Sequence, residues 1–152
     1  MIKILAVGKI KEKYLTDGIN EYLKRMQAFD KVNLIEVKEV NVKTPSENIV
    51  KEGLLLLDQI NEKDYVITLE IEGQMLDSIQ LANKITDLYN HQATSICFVI
   101  GGSNGLSDTI KKRSNYALSF SKLTFPHQLM RLILCEQLYR AYTIINHQEY
   151  HK

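Results

Sequence analysis

Cys97-Phe98-Val99-Ile100 runs directly into Gly101-Gly102-Ser103-Asn104-Gly105, so an apolar segment is followed at once by a glycine loop. A second apolar segment, Tyr116 to Phe120, leads into Ser121-Lys122-Leu123-Thr124-Phe125-Pro126-His127-Gln128-Leu129-Met130-Arg131. Short apolar runs that end in turn residues are typical of buried strands. Paired glycines after a strand let a ligand lie against the backbone, because no Cβ holds it away. The stretch therefore predicts two buried strands with a ligand site where they end.

Apolar strands alternate with helical patterns over the rest of the chain. The predicted strands are Ile2 to Val7, Val32 to Val40, Tyr65 to Ile71, Ser95 to Ile100 and Tyr116 to Ser119, with a turn at Gly73. Helices are predicted from about Lys11 to Met26, from a Thr44 cap to Ile60, from an Asp77 cap to Asn90, from a Ser107 cap to Arg113, and from Pro126 to Asn146. Strands joined by helical crossovers form a mainly parallel sheet with helices on both faces, so the predicted fold class is α/β.

Chain length and net charge restrict the number of domains and the kind of binding partner. A chain of 152 residues has the size of one domain, so we expect a single domain over residues 1–152. The net charge of +1 shows no general basic surplus of the kind that nucleic-acid binding produces. Any basic surface is therefore local. Two clusters qualify, Lys9, Lys11 and Lys13 and then Lys111-Lys112-Arg113, although each alone is more typical of a solvated helix face.

The sequence contains no membrane or export signal. The apolar run at Ile2 to Val7 is too short for the core of a signal peptide. No segment approaches the roughly 18 apolar residues that a membrane span needs. We therefore expect a cytoplasmic protein with no membrane partner.

Several ligand classes fit the sequence poorly. The order G-G-x-x-G at Gly101–Gly105 differs from the dinucleotide fingerprint G-x-G-x-x-G and lies late in the chain, and no phosphate-binding G-x-x-x-x-G-K-[ST] occurs. The histidines at 127, 147 and 151 lack metal-ligand spacing, so no metal is expected. Cys97 and Cys135 lie in apolar runs and are predicted to be buried, structural thiols.

The last predicted helix carries polar candidates and an unusual apolar surface. His127 and Arg131 are four positions apart, which places both on one helix face where they could bind an anion. The alternative for His127 is a structural hydrogen bond at the helix start. Apolar residues cover the helix nearly all round, more than one sheet face needs, so a second copy of the chain is predicted to cover the excess in a homodimer.

Several segments together closely resemble one family. They are Ile4–Lys9, Thr68–Glu70 with Gly73, the Gly101–Gly105 loop, Arg113–Ser119, Phe125–His127, Glu136–Ala141 and the terminal Tyr150-His151-Lys152. In this order and spacing they resemble the RlmH family, SPOUT-class ribosomal RNA large-subunit methyltransferases that N3-methylate a pseudouridine of 23S rRNA. The resemblance covers essentially the whole chain. It departs between about Val37 and Lys63, a segment that is shorter here and carries Gly53-Leu54-Leu55-Leu56-Leu57.

The resemblance implies a fold detail, a cofactor and a site. It implies a trefoil knot in the C-terminal part of the sheet, S-adenosyl-L-methionine as cofactor, and 23S rRNA in the assembled ribosome as substrate. The implied cofactor contacts are Leu69, Gly101, Phe120, Ser121, Lys122, Leu123, Thr124 and Phe125. The catalytic candidates are His127 and Arg131 together with Tyr150 and His151, whose terminal segment would complete the active site across the dimer.

Two other classes of protein stay open from the sequence. A non-catalytic module that binds nucleotides or RNA would keep the glycine loop but would not need His127 and Arg131 together. A dehydrogenase or other nucleotide enzyme would bind NAD or ATP. Ligand preference separates these classes from a methyltransferase.

Overall fold

The computed structural model describes all 152 residues, and its centre is one five-stranded sheet. The strands are β1 (Ile2–Val7), β2 (Val32–Val37), β3 (Tyr65–Met75), β4 (Ile96–Ile100) and β5 (Tyr116–Ser119). The helices are α1 (Lys13–Met26), α2 (Pro45–Asp58), α3 (Ser78–Asn90), α4 (Asp108–Arg113) and α5 (His127–Ile145). The strand order is β2-β1-β4-β3-β5, and every neighbouring pair is parallel. The predicted α/β class is confirmed.

Each face of the sheet carries its own hydrophobic core, because alternate residues of a strand point to opposite faces. In β4, Phe98 and Ile100 pack in the core that α1, α3 and α5 cover, whereas Cys97 and Val99 pack in the core under α2 and α4. The first core contains 18 buried residues and the second contains 8, so most of the burial lies under α5 and its neighbours. Helices on both faces are therefore confirmed.

Three predicted caps begin their helices. The Thr44 hydroxyl accepts a hydrogen bond from the Glu47 N–H at 3.3 Å and begins α2. Asp77 and Gln80 form a reciprocal capping box at the start of α3. Ser107 caps the short α4. These side chains occupy donors that a helix start would otherwise leave unpaired, which explains why the sequence placed these starts correctly.

The predicted turn at Gly73 is wrong, because β3 continues through it to Met75. The pairing of β3 with β5 shifts register between Leu69 and Gln74, so an extra stretch bulges out of the sheet. A Cβ at Gly73 would lie 2.7 Å from the carbonyl carbon of Ala117, and only glycine permits this approach. The glycine therefore marks close contact with β5. The strand β2, by contrast, ends earlier than predicted.

After β5 the chain returns over the carboxyl ends of the strands to reach α5 beside β1. The backbone N–H of Lys11, just after β1, donates to Oε1 of Gln128 at 3.2 Å. The Arg131 guanidinium reaches the carbonyl oxygens of Val7 and Gly8. Because β4 and β3 lie between β1 and β5, the segment 120–126 passes over their ends. None of the five helices has the length and hydropathy that crossing a bilayer demands.

Candidate functional site

A cavity of about 870 Å³ opens at the carboxyl ends of β3, β4 and β5. Its walls come from the end of β3, from the glycine loop after β4 and from the segment between β5 and α5. Open parallel sheets bind their ligands at this end of the strands. The volume falls within the roughly 300–1,000 Å³ range of small-molecule sites. The cavity is therefore the candidate binding site.

Most residues that the resemblance implied as cofactor contacts line this cavity. They are Leu69, Gly101, Phe120, Ser121, Leu123, Thr124 and Phe125. Lys122 lies in the same segment but does not line the cavity and is exposed. Apolar side chains and backbone groups thus dominate the walls, an environment that suits a flat, uncharged ring.

The glycine loop packs tightly against itself. A Cβ on Gly101 would lie 2.7 Å from the carbonyl oxygen of Gly105, so the space beside Gly101 is filled by the loop's own backbone. Gly105 has a φ of +88°, a conformation that favours glycine. The backbone N–H groups of Ser103 and Asn104 make no hydrogen bond within the chain. The loop therefore has unpaired N–H donors beside the cavity. Gly101 is needed for the conformation of the loop itself, and it also leaves room for a ligand.

Glu70 and Lys111 add a polar edge that sequence reasoning did not assign to the site. The Thr68 hydroxyl donates to Glu70 Oε2 at 2.6 Å, and the Lys111 ammonium lies 4.0 Å from Glu70 Oε1. Both Glu70 and Lys111 line the cavity. Lys111 looks like part of a solvated helix face in the sequence, and only the closeness of β3 and α4 places it at the cavity. Glu70 could have been found, because it lies in the last residues of the predicted strand Tyr65 to Ile71.

His127 is the first residue of α5 and lines the cavity. Burial lowers the pKa of its imidazole below the ordinary value, and the positive charges of Arg131 and Lys11 lower it further, while Glu39 opposes them. The ring is therefore mainly neutral at neutral pH, with a nitrogen free to accept a proton. The structure thus places His127 where a proton-transfer group would act.

Arg131 does not reach the cavity, contrary to the expectation that it faces the same site as His127. Its side chain is fully buried, and Nη1 donates to Glu36 Oε2 at 2.6 Å and to the carbonyl oxygen of Gly8 at 3.1 Å. Nη2 donates to the Val7 carbonyl oxygen at 3.2 Å. The guanidinium thus binds α5 to the ends of β1 and β2. The four-residue spacing of His127 and Arg131 could not reveal this burial, because the carbonyl groups that bind Arg131 come from the other end of the chain.

The terminal segment lies against α5. The Tyr150 hydroxyl donates to Glu136 Oε1 at 3.0 Å, and the Tyr150 ring meets Tyr139 edge-on with centroids 4.8 Å apart. Arg140 lies over the Tyr150 ring, 4.6 Å from its centroid, and donates to His151 Nδ1 at 3.2 Å. Burial raises the pKa of the Tyr150 hydroxyl, and its hydrogen-bonding partners raise it further. These contacts fix the position of the segment, which sequence position alone would make mobile.

His151 lines a second cavity of about 470 Å³ beside the first. The two cavities share the walls formed by Leu118, Phe120 and Phe125. Within one chain the structure therefore brings His151 close to the candidate site but places it behind an apolar wall from His127. The resemblance implied that the terminal segment acts across the dimer, so its place within one chain leaves that prediction open.

The remaining histidines and the cysteines form no chemical site. No group of three or more His, Cys, Asp or Glu residues is arranged to hold a metal ion, and His147 is exposed. Cys97 and Cys135 are free and buried, as predicted. Burial raises the pKa of each thiol to about 12, so neither is a thiolate at neutral pH.

Known proteins resemble this chain in sequence and in fold. Residues 1–151 match the family model described as predicted SPOUT methyltransferase. A ribosomal RNA large subunit methyltransferase H from Finegoldia magna is 52% identical over 157 residues, and one from Bacillus pumilus is 48% identical, each match covering 99% of both chains. A probable methylase family protein from Haemophilus influenzae has a similar fold, with a TM-score of 0.59 at 15% identity over 99% of this chain and 70% of that one.

The match over residues 1–151 places this parallel α/β fold, with its cavity at the strand ends, among the methyltransferases of the SPOUT class. The chain belongs to that class and, within it, to the family of ribosomal RNA large subunit methyltransferase H. The predicted family is confirmed. Membership implies the C-terminal trefoil knot, and the return path of segment 120–126 over β3 and β4 is where the knot would form.

Proposed function

We propose that the protein is an S-adenosyl-L-methionine-dependent methyltransferase that modifies N3 of a pseudouridine in 23S rRNA, acting on assembled ribosomes in the cytoplasm. The single observation that carries the proposal is the cavity at the ends of β3, β4 and β5, in a chain whose relatives are named for rRNA methylation. The cavity has room for a nucleoside-sized ligand. His127 at its edge supplies the proton acceptor that methylation of a ring nitrogen needs.

The cavity fits S-adenosyl-L-methionine by size and by chemistry. Leu69, Phe120 and Phe125 offer an apolar surface for the adenine ring, and the free N–H groups of Ser103 and Asn104 can donate to polar atoms. We assign contacts also to Gly101 and to the segment Ser121 to Thr124, Lys122 included. When bound, the cofactor supplies an electrophilic methyl group. The glycine loop lacks the spacing of the dinucleotide and phosphate-loop motifs, which disfavours NAD and ATP.

His127 is proposed to handle the proton of the substrate. N3 of pseudouridine carries a proton that must leave as the nitrogen accepts a methyl group. A neutral imidazole at the edge of the cavity can take this proton, and a positioned base of this kind contributes about 10²–10⁴-fold in rate. Arg131 would act as a positioning residue, because its positive charge helps to keep His127 neutral and its hydrogen bonds fix the start of α5.

Tyr150 and His151 are proposed to complete the active site from the partner subunit. In one chain His151 lines the second cavity, separated from the first by Phe120 and Phe125, and Tyr150 lies against α5 through its hydrogen bond to Glu136. Exposed apolar residues border both cavities, and a second copy that covers them would bring its own terminal segment close to this chain's His127. The rRNA base would then lie between groups of two subunits.

The dimer proposal rests on these apolar residues rather than on the whole of α5. Packing of α5 between α1, α3 and the sheet already buries most of its apolar surface, including Tyr142, which is 7% exposed and donates to Asp30 at 2.6 Å. Tyr142 therefore does not point outward and cannot take part in a dimer contact. The apolar residues left at the cavities form the proposed dimer patch: Ile71, Ile79, Leu123 and Ile133.

Ile133→Glu is expected to convert the dimer to a monomer. Ile133 lines the second cavity, and a charge enclosed there by a partner would lose its hydration without gaining a counter-ion. Sedimentation at micromolar concentration measures the change. Leu54→Glu is the matched control, because Leu54 is equally apolar and 60% exposed but lies on α2, on the other face of the sheet. A wild-type monomer, or equal dissociation of both variants, would contradict the proposed dimer.

Methyl transfer to ribosomes tests the function directly. Ribosomes that lack the modification are incubated with the protein and S-adenosyl-L-methionine, and the 23S rRNA is analysed by mass spectrometry. One added methyl group on the pseudouridine is expected. Calorimetry with S-adenosyl-L-methionine, S-adenosylhomocysteine, NAD and ATP separates the alternatives. Tight binding of NAD or ATP would favour a nucleotide enzyme, and cofactor binding without transfer would favour a non-catalytic module.

Gly101→Val is expected to weaken cofactor binding at least about tenfold. The valine side chain needs the space that the Gly105 backbone occupies, so the loop must move and its free N–H groups shift with it. Calorimetry measures the affinity, and circular dichroism checks the fold. Thr109→Ala is the control just after the loop, because Thr109 is exposed on α4 and does not line the cavity. Unchanged affinity in folded Gly101→Val would remove the loop from the site.

A further inference from the structure

Glu52 is a buried carboxyl group behind the glycine loop. It lies in the middle of α2 and is 2% exposed. Its Oε2 accepts a hydrogen bond from the Val40 N–H at 3.0 Å, whereas Oε1 is fully buried and has no partner within the chain. An unpaired buried polar atom costs folding free energy, so a reason for keeping it is required.

The unpaired oxygen points at the loop that lines the cavity. Glu52 Oε1 lies 3.6 Å from the position that a Cβ of Gly102 would take, and Val7 Cγ1 lies 3.0 Å from the same position. Gly102 therefore rests on a floor made by Val7 and Glu52. The cavity lies on the other side of Gly102, and Glu52 does not line it.

The next residue of α2 supports the other end of the same loop. A Cβ on Gly53 would collide with the Ser107 hydroxyl, which caps α4 directly after the loop. Glu52 and Gly53 thus contact the loop on both flanks, at Gly102 and at Ser107. In the sequence Gly53 is only the start of a divergent leucine run, because nothing there places α2 against the loop.

Donors without partners lie in the same loop. The N–H groups of Ser103 and Asn104 make no hydrogen bond in the chain, and the Glu52 oxygen lacks a donor. Burial raises the pKa of the Glu52 carboxyl, the nearby Glu39 raises it further, and the Val40 N–H opposes both effects. A small inward movement of the loop would pair one of these two donors with the Glu52 oxygen and leave the other for the ligand.

We propose that Glu52 is a positioning residue for the cofactor cavity, holding the glycine loop through Gly102 and accepting a hydrogen bond from the loop backbone when the cavity is filled. The proposal rests on the proposed function for the identity of the ligand. Glu52 touches neither cofactor nor substrate. It sets where the free N–H groups of the loop lie, and through them the affinity of the cavity.

Three variants of the full-length protein test this role. Glu52→Ala removes both oxygens, Glu52→Gln keeps a side chain that can bind Val40 and face Gly102, and Asn48→Ala is the matched control. Asn48 lies on the same helix, is 3% exposed and accepts from the N–H groups of Val42 and Lys43, both at 3.2 Å. Asn48 thus hydrogen-bonds to the segment that precedes α2, as Glu52 does, but does not face the glycine loop.

The measurements are calorimetric affinity for S-adenosylhomocysteine and amide hydrogen exchange of residues 102–106, with and without that ligand. Glu52→Ala is expected to lose about tenfold in affinity, as a lost hydrogen bond does, and to abolish the ligand-induced protection of the loop. Glu52→Gln is expected to restore each only in part, because its one carbonyl oxygen can accept from Val40 or from the loop but not from both. Asn48→Ala is expected to keep the wild-type affinity and the ligand-induced protection of the loop, even where its melting temperature falls as far as that of Glu52→Ala.

Wild-type affinity and loop protection in Glu52→Ala would overturn the proposal, and so would an equal loss in Asn48→Ala. Should Glu52→Ala fail to fold, the comparison of Glu52→Gln with Glu52→Asp decides, because aspartate is too short to face Gly102 from the same backbone. If the wild-type protein bound no S-adenosylhomocysteine, the proposed function would fail, and exchange of the free loop in the variants would then decide the role of Glu52.

Discussion

Deletion of Tyr150-His151-Lys152 is expected to reduce methyl transfer to ribosomes by about 10²–10⁴-fold, the size of effect that a positioned acid–base group provides. The segment lies at the second cavity, next to the proposed dimer patch, and is proposed to complete the partner's active site. The cofactor cavity keeps all its lining residues, so affinity for S-adenosylhomocysteine should change little. Stability should fall modestly, because the edge-on pair of Tyr150 and Tyr139 is worth about 1 kcal/mol.

Smaller changes locate the effect within the segment. Removal of Lys152 alone should leave transfer unchanged, since its side chain is exposed. Tyr150→Phe keeps the packing on Tyr139 and Arg140 and removes only the hydrogen bond to Glu136. A truncated protein that methylates ribosomes at the wild-type rate would show that the segment has only a packing role. His127 would then be the one catalytic candidate left at the cavity.

His127→Ala is the second large effect expected, a loss of about 10²–10⁴-fold in turnover with little change in cofactor affinity. Single-turnover methylation of ribosomes separates the two quantities. The pH profile gives an independent check. Because burial lowers the imidazole pKa, wild-type activity should persist below pH 6.5, the ordinary histidine value, and fall only as the ring becomes protonated. His127→Ala should lack this acid limb.

The same pKa shift predicts how stability depends on pH. The unfolded chain binds a proton at His127 more readily than the folded protein does, so stability is lost as pH falls through the ordinary histidine pKa. In His127→Ala this part of the loss should disappear. If the pH profile of activity in His127→Ala kept the acid limb of the wild-type protein, the base would be a group other than His127.

Arg131→Ala should behave differently from His127→Ala. The sequence suggested a shared role, but the structure buries Arg131 among the carbonyl oxygens of Val7 and Gly8 and the Glu36 carboxylate. Removal of one member of a buried ion pair costs about 3–5 kcal/mol, and the exposure of Glu36 reduces the expected loss toward the lower end. Unfolding by urea is the appropriate measurement, and any loss of turnover would follow from the loss of structure at α5.

Local chemistry explains what could be predicted from the sequence. Thr44, Asp77 and Ser107 begin helices through bonds to residues three positions away, so their role is visible in the chain itself. The apolar runs of β1 and β4 are buried on both faces and read as strands for the same reason. The segment from Phe120 to Phe125 could be predicted to border a ligand site because it follows the end of β5, whereas its individual cofactor contacts came only from the family resemblance.

Contacts between distant segments explain what could not be predicted. Gly73 looks like a turn residue, but its glycine is required by the backbone of Ala117 in a neighbouring strand. Lys111 has the sequence pattern of an exposed helix face, yet it lines the cavity. Arg131 has the pattern of a site residue, yet it is fully buried away from the cavity. Glu52 carries no signal at all in the sequence, because its partner is the glycine loop about 50 positions later.

The hydrogen bonds of Arg131 also bear on how the protein folds. The contact with Val7 joins residues 124 positions apart, and the neighbouring pair of β1 with β4 is also non-local. Chains dominated by such contacts fold slowly, because much loop entropy is lost before the contacts form. We therefore expect the start of α5, and with it His127, to dock only after β1 and its neighbouring strands have formed. Catalytic competence should therefore appear late in refolding, after most of the helical signal has returned.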